Sequence, residues 1–137
     1  MTKIIEGNNY VDDRGKIYFN NDFDLSPIKR VYLIENNELS FIRAWLGHKI
    51  ERRWFTAVSG SFLVKVVRID NWHNPNPKTE IKEYLLDSLK LDVLHVDNGS
   101  LTSIQATEIN SKLLIMSDYL LGEIEDEYRF PSDYFTN

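Results

Sequence analysis

The sequence predicts a single all-β domain, a sandwich or barrel of short antiparallel strands. About ten runs rich in β-branched and aromatic residues follow one another at intervals of about 8–12 residues, each closed by a turn signal, which is typical of such folds. No stretch has a clear helical periodicity, and no linker or internal repeat divides the 137 residues. A chain of this length can bury one hydrophobic core but not two.

In the first third of the chain, strands are predicted at residues 4–5, 10–11, 16–20, 28–34 and 41–45. Between the second and third of these, Asp12-Asp13-Arg14-Gly15 places a glycine after three polar residues, which is a strong turn signal. Residues 28–34 are rich in β-branched and aromatic side chains. That composition predicts a buried strand.

In the rest of the chain, strands are predicted at residues 53–58, 62–69, 91–96, 101–106 and 112–116. Glycine at the centre of Ser59-Gly60-Ser61 predicts that the strands on either side form a hairpin. Residues 74–77 contain two prolines and are a loop, whereas residues 80–86 fit a strand or a helix equally well. The last twenty residues form an aromatic and acidic tail.

Composition excludes several classes of function. The formal net charge is −5 and no lysine or arginine run offsets it, so we expect no nucleic-acid partner. The chain contains no cysteine, which excludes disulfides, thiolate metal sites and a cysteine nucleophile. No apolar run is long enough for a signal peptide or a membrane span, so we expect a cytoplasmic protein with no membrane partner.

The chemically richest stretch is Arg43-Ala44-Trp45-Leu46-Gly47-His48-Lys49, which Arg53, Trp54 and Gly60-Ser61 follow. It brings a guanidinium, an imidazole, an ammonium and two indoles close together between two predicted strands. The stretch is therefore the candidate site. The alternative is a structural strand whose histidine is hydrogen-bonded inside the barrel.

With Asp13-Arg14-Gly15, Arg30-Val31-Tyr32 and a late Ser117-Asp118-Tyr119, this stretch resembles small cupins that act on nucleotide-linked deoxysugars. The resemblance is to the dTDP-4-keto-6-deoxyglucose 3,4-ketoisomerases, or WxcM-like proteins, and more distantly to the dTDP-4-keto-rhamnose 3,5-epimerases. It covers nearly the whole chain. It implies a single cupin-type (RmlC-like) β-barrel or jelly roll of two antiparallel sheets over residues 1–137, a nucleotide-sugar substrate, and a homodimer that pairs or exchanges strands.

Two positions depart from the ketoisomerase pattern. Leu46 stands where the first histidine of the motif is expected, and Arg53 stands where a glutamine is expected. Leu46 also occupies the place of the epimerase base, which disfavours an epimerase. The metal-ligand positions of metallocupins are occupied here by Leu46, His48, Arg53 and Thr102, so one ligand of four remains. We therefore expect no catalytic metal and no other cofactor.

The resemblance implies roles for three residues in an isomerisation that removes a proton from carbon 3 and returns one to carbon 4. His48 is the candidate base, because imidazole can accept and release a proton near neutral pH. Tyr32 is the candidate donor to the developing enolate oxygen. Asp118 is the candidate carboxylate that orients His48, with capping of a turn as the alternative.

The remaining candidate residues would bind substrate. Arg14 and Arg43 suit a pyrophosphate because guanidinium contacts phosphate oxygens through two donors, although each could equally form a surface ion pair. Lys49 is a second type of anion contact. The register of the resembled family places Arg53 toward the interior, whereas strand alternation with His48 places Arg52 there. The sequence leaves the choice open.

Aromatic residues complete the predicted site. Trp45 would stack on the thymine or the sugar or fill the core, Trp54 and Phe55 are expected in the core, and Tyr119 matches the family's late segment. Three functions follow, in order of preference: a metal-free 3,4-ketoisomerase in deoxysugar biosynthesis for lipopolysaccharide or other surface polysaccharide, a 3,5-epimerase of the same substrates, and a non-catalytic nucleotide-sugar-binding cupin.

Overall fold

The computed structural model describes residues 1–136, and none of these lies in a helix. They form twelve strands: β1 (Lys3–Ile5), β2 (Asn8–Asp12), β3 (Gly15–Phe19), β4 (Arg30–Ile34), β5 (Arg43–His48), β6 (Arg53–Ser59), β7 (Ser61–Arg68), β8 (Lys82–Asp87), β9 (Val93–Val96), β10 (Ser100–Ala106), β11 (Lys112–Ser117) and β12 (Glu127–Arg129). The ambiguous residues 80–86 therefore contribute a strand.

The strands form two five-stranded antiparallel sheets and a separate hairpin. The first sheet has the order β1-β9-β6-β11-β4, and the second has the order β12-β5-β10-β7-β8. β2 and β3 pair only with each other, in register from Asn8 opposite Phe19 to Asp12 opposite Gly15. The predicted all-β class with two antiparallel sheets is confirmed.

The main core lies between the two sheets and is built by alternation along each strand. On β11, Leu113 and Ile115 are fully buried and point inward, whereas the intervening Leu114 is only partly buried. Phe55 on β6 and Phe62 on β7 meet them from the two sheets, and neither is exposed at all. Burying each such side chain contributes about 1.5–3 kcal/mol, so this layer is the main source of stability.

A second apolar cluster covers the outer face of the second sheet. Trp45 and Leu101 lie there under Phe135, and the Trp45 and Phe135 rings meet edge to face with centroids 5.1 Å apart. On the first sheet, Trp54 points outward as well and is buried against Phe23. Core positions for Trp54 and Phe55 are therefore confirmed.

The hairpin predicted around Gly60 is wrong. β6 pairs with β9 and β11 in the first sheet, whereas β7 pairs with β8 and β10 in the second. Gly60 has a φ of 68° and carries the chain from one sheet to the other. A Cβ at this position would overlap Ser111 Oγ. Glycine is therefore required here for a crossing between layers rather than for a strand reversal.

Apolar side chains remain exposed in two places on the surface. Tyr10, Val11 and Ile17 on the β2–β3 hairpin are each more than half exposed. Val31 and Leu33 point outward from β4, the edge strand of the first sheet, and are 57% and 56% exposed. An open edge strand beside apolar surface is a template for association with another chain.

Within residues 1–136 there is no helix of the length and apolarity needed to cross a membrane.

Candidate active site

A cavity of ≈ 1240 Å³ opens between the two sheets at the side where β4 and β11 face β5 and β12. Its wall is formed by β4, by β5, by parts of β6, β10 and β11, and by the segment 120–130. Four arginines line it, namely Arg30, Arg43, Arg53 and Arg129, together with Tyr32 and His48. Most of the candidate stretch of the sequence therefore lines this cavity.

The register of β5 decides which of its side chains face the cavity. Leu46 lies opposite Thr102 of β10, and His48 lies opposite Ser100, so both point inward between the sheets. Gly47 lies between them, where a Cβ would overlap the carbonyl oxygen of Ser100. Glycine at this position lets β5 lie close to β10 and brings His48 against the interior.

Both ring nitrogens of His48 contact protein groups. Nδ1 lies 3.1 Å from the carbonyl oxygen of Asp126, and Nε2 lies 3.3 Å from Oε2 of Glu51. A carbonyl oxygen can only accept, so Nδ1 carries the hydrogen and Nε2 is the basic nitrogen. Burial, reinforced by the charge of Arg53, lowers the pKa of His48 from 6.5 to about 4, so the imidazole is neutral at pH 7.

Asp126 holds the turn that follows β5. Its carboxylate accepts hydrogen bonds from the backbone N–H groups of Lys49, Ile50 and Glu51 at 3.0, 2.8 and 2.8 Å. The residue is only 6% exposed, so these charge-assisted bonds are shielded from water. Asp126 thus fixes His48 through its carbonyl and Glu51 through its side chain.

Arg53 brings a buried positive charge to the cavity. It is 2% exposed, its Nη2 donates to Oγ1 of Thr102 at 3.2 Å, and its guanidinium lies 5.0 Å from the centroid of the Phe55 ring. Burial lowers the pKa of Arg53, while the hydroxyl of Tyr32 and the carboxyl of Glu51 act in the opposite direction. A guanidinium nevertheless stays charged in proteins, so an anionic ligand would find a preset partner here.

Glu51 is the acidic residue of the cavity that lies against Nε2 of His48. Burial raises the pKa of its carboxyl, whereas the hydroxyl of Ser117 and the charges of Arg53 and Arg30 lower it. The carboxyl is thus set between the basic nitrogen of His48 and two guanidinium groups. An imidazole, a carboxyl and guanidinium groups in one partly closed cavity can move a proton and bind an anion.

At the level of sequence, no family profile and no curated protein matches the chain. Solved structures do match it. The 3,4-ketoisomerase QdtA from Thermoanaerobacterium thermosaccharolyticum, crystallised with TDP, is 20% identical with a TM-score of 0.71, over 98% of this chain and 91% of that one. A 3,4-ketoisomerase from Helicobacter canadensis is also 20% identical with a TM-score of 0.72, over 98% and 94%.

Epimerases share the architecture too. The dTDP-4-dehydrorhamnose 3,5-epimerase of Bacillus anthracis, solved with TDP and pyrophosphate bound, is 14% identical with a TM-score of 0.73, over 91% of this chain and 76% of that one. The chain has an RmlC-like cupin fold. The fold implied by the resemblance is therefore confirmed, over almost the full length of the cupin.

The cupin brings together five of the predicted site residues. The cavity is lined by Tyr32, Arg43, Trp45, His48 and Arg53. Arg43 lies at the rim, where its Nε donates to Oδ1 of Asn36 at 2.8 Å. The indole of Trp45 is 4% exposed and packs in the cluster with Phe135, which favours the core role over stacking on a ligand.

Four other predicted residues lie away from this cavity in the single cupin chain. Arg14 is on the tip of the β2–β3 hairpin and pairs with Asp12 at 2.6 Å, and Lys49 is exposed. Tyr119 lies beside Lys29, whose Nζ is 5.8 Å from the ring centroid. Asp118 is the fourth, and its partner is Arg52.

The predicted pairing of Asp118 with His48 is not what the structure shows. Oδ1 and Oδ2 of Asp118 accept from the backbone N and the Nε of Arg52, both at 2.9 Å. This bond also settles which arginine faces the cavity, because it holds Arg52 outward over Trp54 while Arg53 is buried inside. The carboxyl groups that contact His48 belong to Glu51 and Asp126.

Sequence reasoning missed three residues of the site, namely Arg30, Glu51 and Asp126. Arg30 is part of the quoted motif Arg30-Val31-Tyr32, and its inward direction follows from alternation with Tyr32. Glu51 follows His48 by three residues and could have been considered as its partner. Asp126 lies in the acidic run 123–127, and nothing local separates it from its neighbours there.

Within residues 1–136, no group of three or more His, Asp or Glu side chains is arranged to hold a metal ion. The absence of a catalytic metal remains a prediction.

Proposed function

We propose that this cupin is an isomerase that acts on a nucleotide-linked 4-keto-6-deoxyhexose, as a 3,4-ketoisomerase that needs no metal. The observation that carries the proposal is His48, a buried imidazole neutral at pH 7 whose Nε2 is available as a base inside the cavity with the charged Arg53. The structures of QdtA with TDP and with TDP-4-keto-6-deoxyglucose support the choice of substrate class.

The chemistry suits these residues. His48 would take the proton from carbon 3. The electron pair of the broken carbon–hydrogen bond would then form the double bond of an enediol between carbons 3 and 4. The hydroxyl of Tyr32, which lies beside the Arg53 guanidinium, would donate to the oxygen on carbon 4 and later accept from the oxygen on carbon 3. Return of a proton to carbon 4 completes the shift of the carbonyl group.

Guanidinium groups would hold the nucleotide diphosphate. Arg43 at the rim, with Arg30 and Arg53 deeper in the cavity, offers donors that suit phosphate oxygens. The exposed Lys49 and the partly buried Tyr119 would contribute at the edge of the bound nucleotide. Arg14 would contribute only if the hairpin of a second copy carried it to the cavity mouth, because in its own chain it pairs with Asp12.

Incubation with dTDP-4-keto-6-deoxyglucose in deuterated water tests this function. We expect deuterium to enter the sugar as a 3-keto product forms, because the enediol exchanges protons with solvent; proton NMR follows both events. Exchange at carbons 3 and 5 without a 3-keto product would instead indicate a 3,5-epimerase, the function of the epimerases that share the fold. Binding without exchange would indicate a nucleotide-sugar-binding cupin, and no binding would contradict all three.

We also propose that the protein is a cytoplasmic homodimer that contributes to deoxysugar biosynthesis for surface polysaccharide. The exposed apolar side chains of β4 and of the β2–β3 hairpin support a dimer.

Light scattering is expected to give twice the chain mass of 16.1 kDa. Replacement of both Val31 and Leu33 by Glu should yield monomers, because it adds charge to the proposed interface. Leu85→Glu, at an exposed position on β8 of the second sheet, should not. A monomeric wild type would contradict the dimer.

A further inference from the structure

The carboxyl group of Glu51 contacts the imidazole of His48, and the proposed reaction gives this carboxyl group no role. Its Oε2 lies 3.3 Å from Nε2 of His48, and the two side chains are 9% and 12% exposed. Nε2 is the only nitrogen of His48 that can gain a proton, because Nδ1 already donates to the carbonyl of Asp126. Any proton that arrives at Nε2 therefore arrives beside the Glu51 carboxyl.

The two side chains are held in this relation by the same residue. Asp126 binds Nδ1 of His48 through its carbonyl oxygen and the backbone N–H of Glu51 through its carboxylate, at 3.1 and 2.8 Å. The hydroxyl of Ser117, at the end of β11, also acts on the Glu51 carboxyl and lowers its pKa. A contact that is tied to two strands and a turn is a built arrangement rather than a chance approach of two surface groups.

Charged groups face the pair from every neighbouring element. Around His48 they are Arg53 from β6 and the acidic Asp126 and Glu127 from the segment that leads into β12. Around Glu51 they are Arg53, Arg30 from β4, and Asp118 after β11. The two guanidinium groups compensate the charge of an ionised Glu51, so the pair can stay unprotonated until a substrate delivers a proton.

We propose that Glu51 and His48 form one proton acceptor, in which the proton taken from the substrate is held between Oε2 of Glu51 and Nε2 of His48. Glu51 is a positioning residue that acts through His48, and this role rests on the proposed isomerase function. A neutral imidazole in a buried site is a weak base, because its protonated form is poorly solvated. The adjacent carboxylate supplies the stabilisation that burial removes.

The step balances as follows. The carbon 3–hydrogen bond breaks, its electron pair forms the carbon–carbon double bond of the enediol, and the proton lies between Nε2 and Oε2. The π electrons of the carbonyl at carbon 4 move onto its oxygen, which gains a proton. The hydroxyl on carbon 3 later loses its proton as the new carbonyl forms. The proton on the pair exchanges with solvent while the enediol exists; a proton then passes from the pair to carbon 4, and the pair is unprotonated again.

The first test uses the free protein and needs no substrate. NMR titration of the His48 ring is compared between the wild type, Glu51→Gln and Glu83→Gln, the last being an exposed glutamate on β8. We expect the ring signals of His48 to respond to the first proton at a pH lower by about one unit or more in Glu51→Gln. In the wild type that proton is shared with the Glu51 carboxyl, whose pKa burial raises. Glu83→Gln should titrate like the wild type. An unchanged midpoint in Glu51→Gln would overturn the proposal.

The second test is the rate at which the 3-keto product forms from dTDP-4-keto-6-deoxyglucose, followed by proton NMR. Glu51→Gln is expected to lower kcat by about a hundredfold and to change KM by less than about threefold, because the pair acts on the proton and not on the nucleotide. If the wild type itself forms no 3-keto product, the proposed function fails. The NMR titration of His48 then remains as the test of whether Glu51 and His48 share a proton. If Glu51→Gln does not fold, Glu51→Asp replaces it; it should fall between the wild type and full loss in both measurements, and a wild-type midpoint and rate would contradict the pair.

Discussion

Replacement of Asp126 by alanine is expected to lower the free energy of unfolding by about 3–5 kcal/mol, the largest loss that we expect from a single change in this chain. The carboxylate accepts from three consecutive backbone N–H groups, those of Lys49, Ile50 and Glu51, at 3.0 Å or less. Its removal leaves these three donors without their acceptor, that of Glu51 in a buried place and the other two partly buried. An unpaired buried donor costs about 1–3 kcal/mol, and part of this is recovered when the turn loosens and admits water.

Urea denaturation of the alanine and asparagine variants measures this loss. Asp126→Asn keeps the shape and one acceptor oxygen, so it should lose less than Asp126→Ala. Asp24→Ala is the matched control, because Asp24 also accepts a backbone N–H, that of Ser26 at 2.9 Å, but in an exposed turn. We expect the control to lose less than about 1 kcal/mol. Equal losses at Asp24 and Asp126 would mean that the buried turn is not what Asp126 stabilises.

The same residue shows where prediction from the sequence reaches its limit. Asp118 and Asp126 both follow β11 within a dozen residues, and local sequence offers no reason to pair either of them with His48. The choice depends on the path of residues 119–125, which returns the chain to the edge of β5 so that β12 can pair with it. Partner choice across almost eighty residues is a property of the fold, and no local pattern encodes it.

The strands were more accessible to prediction, since alternation and β-branched composition are local signals. Eleven of the twelve strands in residues 1–136 coincide with a predicted or ambiguous run, and β12 was missed. β12 has only three residues, two of them charged, and exists because its backbone completes the edge of β5. The turn at Gly60 was recognised but misinterpreted, because a strand reversal and a crossing between sheets need the same backbone freedom.

His48 and Arg53 illustrate the part of the site that could be predicted. Both belong to the candidate stretch, and the pleat of β5 and β6 sends both toward the cavity. The choice between Arg52 and Arg53 was left open by the sequence because the turn at residues 49–52 interrupts the alternation. The family register, which placed Arg53 inward, agrees with the structure.

The free energy of unfolding is expected to fall by about 3 kcal/mol between pH 6.5 and about pH 4 because of His48. Burial, with the charge of Arg53, lowers the pKa of this imidazole in the folded protein to about 4, below its value of 6.5 when exposed. In this window the unfolded chain binds a proton that the folded protein does not. The stabilisation from the neutral ring is therefore complete above pH 6.5, declines between the two values, and is gone below pH 4.

Denaturant unfolding at several pH values between 4 and 7 measures this slope, and His48→Gln isolates it. Glutamine can still donate to the carbonyl of Asp126 but does not titrate, so the difference between wild type and variant should change by about 3 kcal/mol across the window. Other groups contribute in both proteins, such as His95, whose pKa burial also lowers, and they cancel in the difference. His73→Gln, at an exposed position, should run parallel to the wild type. A His48→Gln curve parallel to the wild type would mean that the folded protein does not lower the pKa of His48.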